Sequence, residues 1–193
     1  MIEKLLEKIK SLGTVSDEMV DRIRRVVKIK KFKAGDSILR EGQVCRSACL
    51  IIKGLTRSFY INDGKDITSR FMEEGFVVTS WISFYKQAPG NEFIEAIEDT
   101  ELACIDYSDI EKLYNEFPAF NVVARHQIEY AFYLSELRTQ LLRGNTAEEK
   151  YKYFIEQFPT LLQRVSLKHI AGYLGMTEET LSRVRSRYHR NQT

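Results

Sequence analysis

The residues best suited to chemistry lie in the stretch Leu167-Lys-His-Ile-Ala-Gly-Tyr-Leu-Gly-Met-Thr-Glu-Glu-Thr-Leu-Ser-Arg-Val-Arg-Ser186, and that chemistry is recognition of base edges and phosphates. Ile170 and Leu174 stand one helical turn apart and face a core, and Ala171 is small where a second helix would cross at close range. Gly175 suits a sharp turn, because no Cβ opposes a positive φ there. Met176 plugs the gap, and Thr177 can cap a second helix with Glu179 or Thr180 close behind. Leu181 and Val184 anchor that helix, which leaves Glu178, Glu179, Ser182, Arg183 and Arg185 projecting outward. A plain helical hairpin needs the core spacing but not the small residue, turn glycine and cap together. The pattern predicts a helix-turn-helix.

An arginine can take both major-groove acceptors of guanine, and a glutamate can accept from cytosine N4. Glu179 and Arg183 are four apart on one helical face, so they could address neighbouring base pairs, or form an intrahelical surface pair worth a few tenths of a kcal/mol. Lys168, Thr177, Ser182, Arg185 and Arg187 suit phosphate, which positions a helix without reading sequence. The overall formal charge of +2 hides an asymmetry: residues 163–193 carry +4 and the rest carries −2. A basic end on a slightly acidic body points to a polyanion partner for that end.

The chain of 193 residues, 44% hydrophobic and 29% charged, can bury a substantial core, which excludes wholesale disorder. Cys45, Cys49 and Cys104 do not make a disulfide framework and are expected to be buried free thiols. No run reaches the ~18 apolar residues of a membrane span. The amphipathic start carries acids and does not resemble a signal peptide, so a cytoplasmic protein is expected. His126, His169 and His189 all fall outside the strand-rich region, where they suit helix packing or surface rather than haem or metal binding. No nucleophile–base set or phosphate-cradling glycine loop appears, so neither enzymatic activity, nor a metal, nor a cofactor is expected.

Three zones must position the motif. Two helices come first: Ile2, Leu5, Leu6, Ile9 and Leu12 recur at helical spacing up to Gly13, and a second helix runs from Ser16 to about Val26. From about residue 28 to 107, short strands alternate with glycines. Strands at 48–53 and 56–61 flank Gly54, Asn62-Asp63-Gly64 is a tight turn, and 93–98 and 101–107 form a strand pair around Asp99-Thr100. That spacing predicts a β-sandwich or barrel of jelly-roll size.

A long helix follows at 118–143. Val123, Gln127, Tyr130, Leu134, Leu137 and Leu141 step along it as a heptad seam about 27 Å long. A second apolar row lies beside the seam, so the helix either stays buried within one chain or packs on its own barrel and a partner helix together. The expected organisation is an α+β protein: a β-roll with N-terminal helices at 1–116, a dimerisation helix at 117–143 and a helix-turn-helix domain at 144–193.

With these parts in view the chain resembles the Crp–Fnr family of bacterial transcription regulators. The resemblance rests on Phe32-Lys-Ala-Gly-Asp-Ser-Ile-Leu-Arg-Glu-Gly-Gln, on Leu50-Ile-Ile-Lys-Gly, and on residues 165–183. Glu179, Thr180 and Arg183 match the family's base-reading Glu-Thr-x-x-Arg; Glu178 departs, where many members carry Arg or Pro. The chain stops soon after the recognition helix, so the usual wing hairpin is expected to be missing or minimal. The resemblance implies a homodimer on an inverted repeat of double-stranded DNA, with RNA polymerase as a further partner.

Cyclic-nucleotide-binding members use a Gly-Glu for the ribose and an Arg-Ser/Thr pair for the phosphate. Here Gly75 precedes Phe76, and Gly90-Asn91, beside Glu92, stand where the Arg pair belongs. Losing the bidentate arginine removes the main charge-assisted grip, so no response to cyclic nucleotides is expected. An iron–sulfur sensor would need four cysteines. Phe76, Trp81, Phe84 and Tyr85, with Asn91 nearby, could line an effector pocket or fill the barrel core; the effector itself is not named. The alternative function is a cyclic-nucleotide-binding signalling module whose C-terminal helices bind protein, but such a role would not need the arginine-rich helix.

Overall fold

A computed structural model describes residues 2–190, apart from the side chain of His189. Two helices open the chain, α1 (Ile2–Leu12) and α2 (Asp17–Val26), the second capped by Ser16, whose hydroxyl accepts from the Met19 amide at 3.2 Å. Eight strands follow: β1 (Lys28–Phe32), β2 (Ser37–Leu39), β3 (Ser47–Lys53), β4 (Thr56–Asn62), β5 (Lys65–Met72), β6 (Val77–Val78), β7 (Phe93–Ala96) and β8 (Thr100–Asp106). A short helix α3 (Trp81–Lys86) separates β6 from β7. After β8 the chain is helical: α4 (Tyr107–Glu116), α5 (Pro118–Gly144), α6 (Ala147–Gln157), α7 (Leu161–Arg164), α8 (Leu167–Leu174) and α9 (Glu178–Arg190).

The strands form two four-stranded sheets, ordered β1-β8-β3-β6 and β2-β7-β4-β5, which is the jelly-roll arrangement of an α+β protein. Asp63 and Gly64 both take positive φ, at 49° and 72°, and make the tight turn between β4 and β5. The strand pair expected around Asp99-Thr100 is corrected. β7 and β8 lie in different sheets, because the chain crosses from one sheet to the other between them.

Gly54 marks the corresponding crossing between β3 and β4. At its φ of 101° a Cβ would stand 2.5 Å from Thr100 Oγ1, 2.7 Å from the Asp99 carbonyl oxygen and 2.8 Å from Thr100 Cα. Gly54→Ala should therefore combine backbone strain with overpacking and destabilise the protein by about 2–4 kcal/mol. Urea unfolding followed through Trp81, the sole tryptophan, checks this; an unchanged midpoint would contradict it.

The expectation of three free thiols holds only for Cys45, which is buried with Sγ 3.3 Å from Thr79 Oγ1. Antiparallel register sets Cys49 on β3 directly opposite Cys104 on β8, and the two are joined as a disulfide. Their separation of 55 residues hides the pairing from any local window of sequence.

The chain forms two compact units, Met1–Ser58 with Phe71–Ala131, and Phe59–Arg70 with Phe132–Thr193. They do not follow the expected divisions after residues 116 and 143. The long helix contributes to both units, and the tip of the β4–β5 hairpin belongs with the C-terminal helices. In the first unit α1, α2, α4 and the start of α5 bury Leu6, Ile23, Leu113 and Val123 around the sheet residues Ile51 and Leu102. The second unit is centred on Tyr151, Phe154, Leu161, Ile170, Leu174 and Leu181. Among the described residues, no helix is long and apolar enough to cross a membrane, and no group of three His, Cys, Asp or Glu could hold a metal ion.

Candidate nucleic-acid interface

Helices α8 and α9 are joined by three residues. Ser166 caps α8, accepting from the His169 amide at 3.3 Å. Gly175 ends it at φ 64°, ψ 40°, its amide reaching the Ala171 and Gly172 carbonyls, and the Met176 amide returns to the Ala171 carbonyl at 3.0 Å. This closure satisfies carbonyls that would otherwise be stranded at the helix end. The Thr177 hydroxyl accepts from the Thr180 amide at 3.2 Å and lies 3.0 Å from the Thr180 hydroxyl. Thr177 is therefore the cap that the sequence predicts. Ile170, Ala171, Leu174, Leu181 and Val184 are buried, as their spacing requires.

The opposite side of the pair is open to solvent. Lys168, Thr177, Glu178, Glu179, Ser182, Arg183, Arg185 and Arg187 are all exposed, and Thr180 is half-buried. Glu178 and Glu179 occupy the first turn of α9, where carboxylates suit the helix dipole. Arg183 does not pair with Glu179 through its carboxylate; its Nε instead donates to the Glu179 backbone carbonyl at 3.4 Å. Arg187 forms an exposed ion pair with Glu148 on α6, a contact cheap to break in water. Residues 191–193, the end of the basic segment and the stretch in which a wing is expected to be missing or minimal, lie outside the described residues.

Sequence reasoning missed the supports of this unit. Thr146 and Glu149 form a reciprocal capping box at the start of α6, visible in hindsight as Thr-Ala-Glu-Glu. The Thr146 bonds hold the Glu149 carboxyl below its ordinary range. Phe154, Phe158 and Tyr173 pack ring against ring, and burial pushes the Tyr173 phenol up to about 12, so it stays protonated. Arg138 on α5 reaches both β5 and α8, and no helical period announces that contact.

In the first unit, a cavity of about 430 Å³ lies inside the β-roll, lined by Phe32, Leu39 and Leu102 together with Lys30, Arg46 and Thr79. None of the residues expected to form an effector pocket lines it. Phe84 is buried in the core, Phe76 packs on Tyr130, Trp81 stacks on Tyr85, Tyr85 is half exposed, and Asn91 is exposed. α3 turns Phe84 inward, where it lines a small apolar pocket beside Leu5, Ile9 and Val123, and leaves Tyr85 half exposed.

The expected cyclic-phosphate region is knitted to itself. Ser83 Oγ accepts from the Cys45 amide at 2.9 Å and donates to the Ala88 carbonyl at 2.6 Å. The Gly42 amide donates to the Gly90 carbonyl at 2.8 Å, and a Cβ on Gly90 would come within 3.1 Å of Ser83 Cβ. Gly75-Phe76 turns out to be the turn before β6, and the pair opening α3 is Thr79-Ser80, which also lacks a carboxylate.

The six residues of the expected seam on α5 differ in burial. Val123 and Leu141 are buried within the chain itself, Gln127, Leu134 and Leu137 are half-buried, and Tyr130 alone of the six is exposed. The large apolar side chains that do reach solvent on α5 are Val122, Ile128, Tyr130, Phe132 and Tyr133. A heptad pattern reports that one side of a helix is apolar but not whether its own chain or a partner covers it.

Residues 29–117 match the cyclic nucleotide-binding domain family. No curated protein sequence matches the chain. Among solved structures, FixK2 of Bradyrhizobium japonicum is similar at 22% identity and a TM-score of 0.77, with 86% of each chain covered. CLP of Xanthomonas campestris, a c-di-GMP responsive global regulator, aligns at 13% identity and a TM-score of 0.75 over 92% of this chain and 93% of that one. TTHA1359 of Thermus thermophilus, a transcriptional regulator of the CRP/FNR family, aligns at 21% identity and 0.67 over 85% and 87%.

Proposed function

From a chain that carries a cyclic nucleotide-binding domain at 29–117 and shares the fold of Crp–Fnr transcription regulators, we propose a bacterial, sequence-specific DNA-binding regulator that acts as a homodimer in the cytoplasm without responding to cyclic nucleotides. The observation that carries this reading is α9 itself: it buries Leu181 and Val184 and exposes Glu179, Ser182, Arg183, Arg185 and Arg187 along the other side. Such a face can enter the major groove, reading bases with Arg183 and Glu179 and holding phosphates with the others. Glu179 then accepts from a cytosine or steadies Arg183, and Lys168 and Thr177 approach the backbone from the start of each helix. Control of transcription makes RNA polymerase a further partner.

The test is selection from random duplexes. An inverted repeat should emerge, its half-sites about one helical turn (~34 Å) apart, as a two-fold dimer with one recognition helix per subunit requires. Failure to enrich any sequence would overturn the reading.

Cyclic AMP and cyclic GMP should give no heat of binding in calorimetry at physiological concentrations. Gly90, Asn91 and the Thr79-Ser80 pair supply neither the guanidinium nor the carboxylate, and Ser83 is already engaged on both sides. Micromolar binding of either nucleotide would refute this. The β-roll cavity, with Lys30, Arg46, Gln43 and Thr79 set among apolar side chains, is the better place to look for an effector.

A further inference from the structure

Arg138 joins three elements of the second unit. From α5 its Nη2 donates to the Thr68 carbonyl on β5 at 2.9 Å and to the Tyr173 carbonyl on α8 at 3.2 Å, and its guanidinium carbon lies 4.9 Å from the Tyr173 ring centroid. Among the described residues no carboxylate pairs with it, and its buried Nε has no acceptor. Beside it, α8 and the hairpin approach backbone to backbone: a Cβ on Gly172 would stand 3.3 Å from the Asp66 carbonyl oxygen and 3.4 Å from the Thr68 nitrogen.

This is a poor way to gain stability. Arg138 is half-buried; taking part of a guanidinium out of water costs free energy before its bonds offset any of it, and an orphaned N–H adds about 1–3 kcal/mol. A methionine would fill the space without either cost. What the arginine supplies is direction, since a rigid fork can hold two carbonyls of different elements in one geometry. One of them, Tyr173, lies two residues before Gly175, the turn from which α9 departs.

We propose that Arg138 is a positioning residue for DNA reading: it ties α8 to the tip of the β4–β5 hairpin and thereby sets the angle at which α9 meets the groove. This rests on the DNA-binding function proposed above. The hairpin tip is then a third component of the reading head, although no residue of it need touch a base.

The test compares affinity for the selected site with affinity for random duplex, in the full chain, for Arg138→Lys, Arg138→Met and Gly172→Ala. Arg138→Lys keeps the charge but loses the fork. Gly172→Ala keeps the arginine and displaces the hairpin by a few tenths of an ångström. A merely structural role lowers the folded fraction, which scales both affinities alike and leaves their ratio unchanged. We expect the ratio to fall about tenfold in both Arg138 variants, the worth of a lost charge-assisted hydrogen bond. It should fall less in Gly172→Ala, and random-duplex affinity and its salt dependence should hold. An unchanged ratio in folded Arg138→Lys and Gly172→Ala overturns the proposal, even if Arg138→Met fails to fold. If the wild-type chain selects no DNA, the DNA-reading function is what fails. Amide hydrogen exchange at residues 66–70 and 173–175 then reads the tie directly: faster exchange in Arg138→Lys supports it, and unaltered exchange overturns it.

Discussion

Replacing Phe132 and Tyr133 together by lysine should convert the protein to a monomer and lower its affinity for an inverted repeat by about 10²–10⁴-fold, the scale on which a second linked contact acts. Phe132 is 66% and Tyr133 56% exposed in the single chain, two adjacent aromatics on one helix with no cover. Large apolar side chains left side by side in solvent suit an interface. Two ammonium groups there would have to be desolvated for the helices to meet, which is prohibitive without partners. Leu134→Lys with Leu137→Lys is the informative contrast. Both leucines are half-buried against their own chain, so that pair should disturb folding before assembly. Sedimentation decides between them: a dimeric Phe132→Lys/Tyr133→Lys protein would refute this interface.

Arg183→Ala should cost about 1–3 kcal/mol on the selected site and relax the preference at one base pair per half-site, as expected for loss of a bidentate arginine–guanine contact. Arg183 is exposed and, among the described residues, held only by a long bond from Nε to the Glu179 carbonyl. Its terminal nitrogens have no carboxylate to leave, so little is lost when they turn to a base. Arg187 differs, because it must first give up Glu148. Arg187→Ala or Lys168→Ala should weaken all duplexes alike and reduce the salt slope by about one, the signature of a phosphate contact. Equal loss on specific and random DNA for Arg183→Ala would make that residue a phosphate clamp as well.

The helices α8 and α9 and the turn between them were legible in the sequence because everything that builds them acts over a few residues. The Gly175 turn, the Thr177 cap and the Ile170–Leu174 and Leu181–Val184 spacings each answer to a hydrogen bond or packing contact within one or two turns. The Asp63-Gly64 turn is legible for the same reason. Features that depend on a partner far along the chain were not. Strand register alone makes Cys49 face Cys104, and the crossing between sheets alone separates β7 from β8. The period of α5 defines an apolar side, but only packing decides that Val123 and Leu141 turn inward while Phe132 and Tyr133 stay out. The same holds for Arg138, whose carbonyl acceptors lie 70 and 35 residues away. Backbone carbonyls are present at every residue, so nothing in a sequence distinguishes the two that a half-buried guanidinium will find; only the folded chain, by bringing β5 and α8 to within a hydrogen bond of α5, selects them.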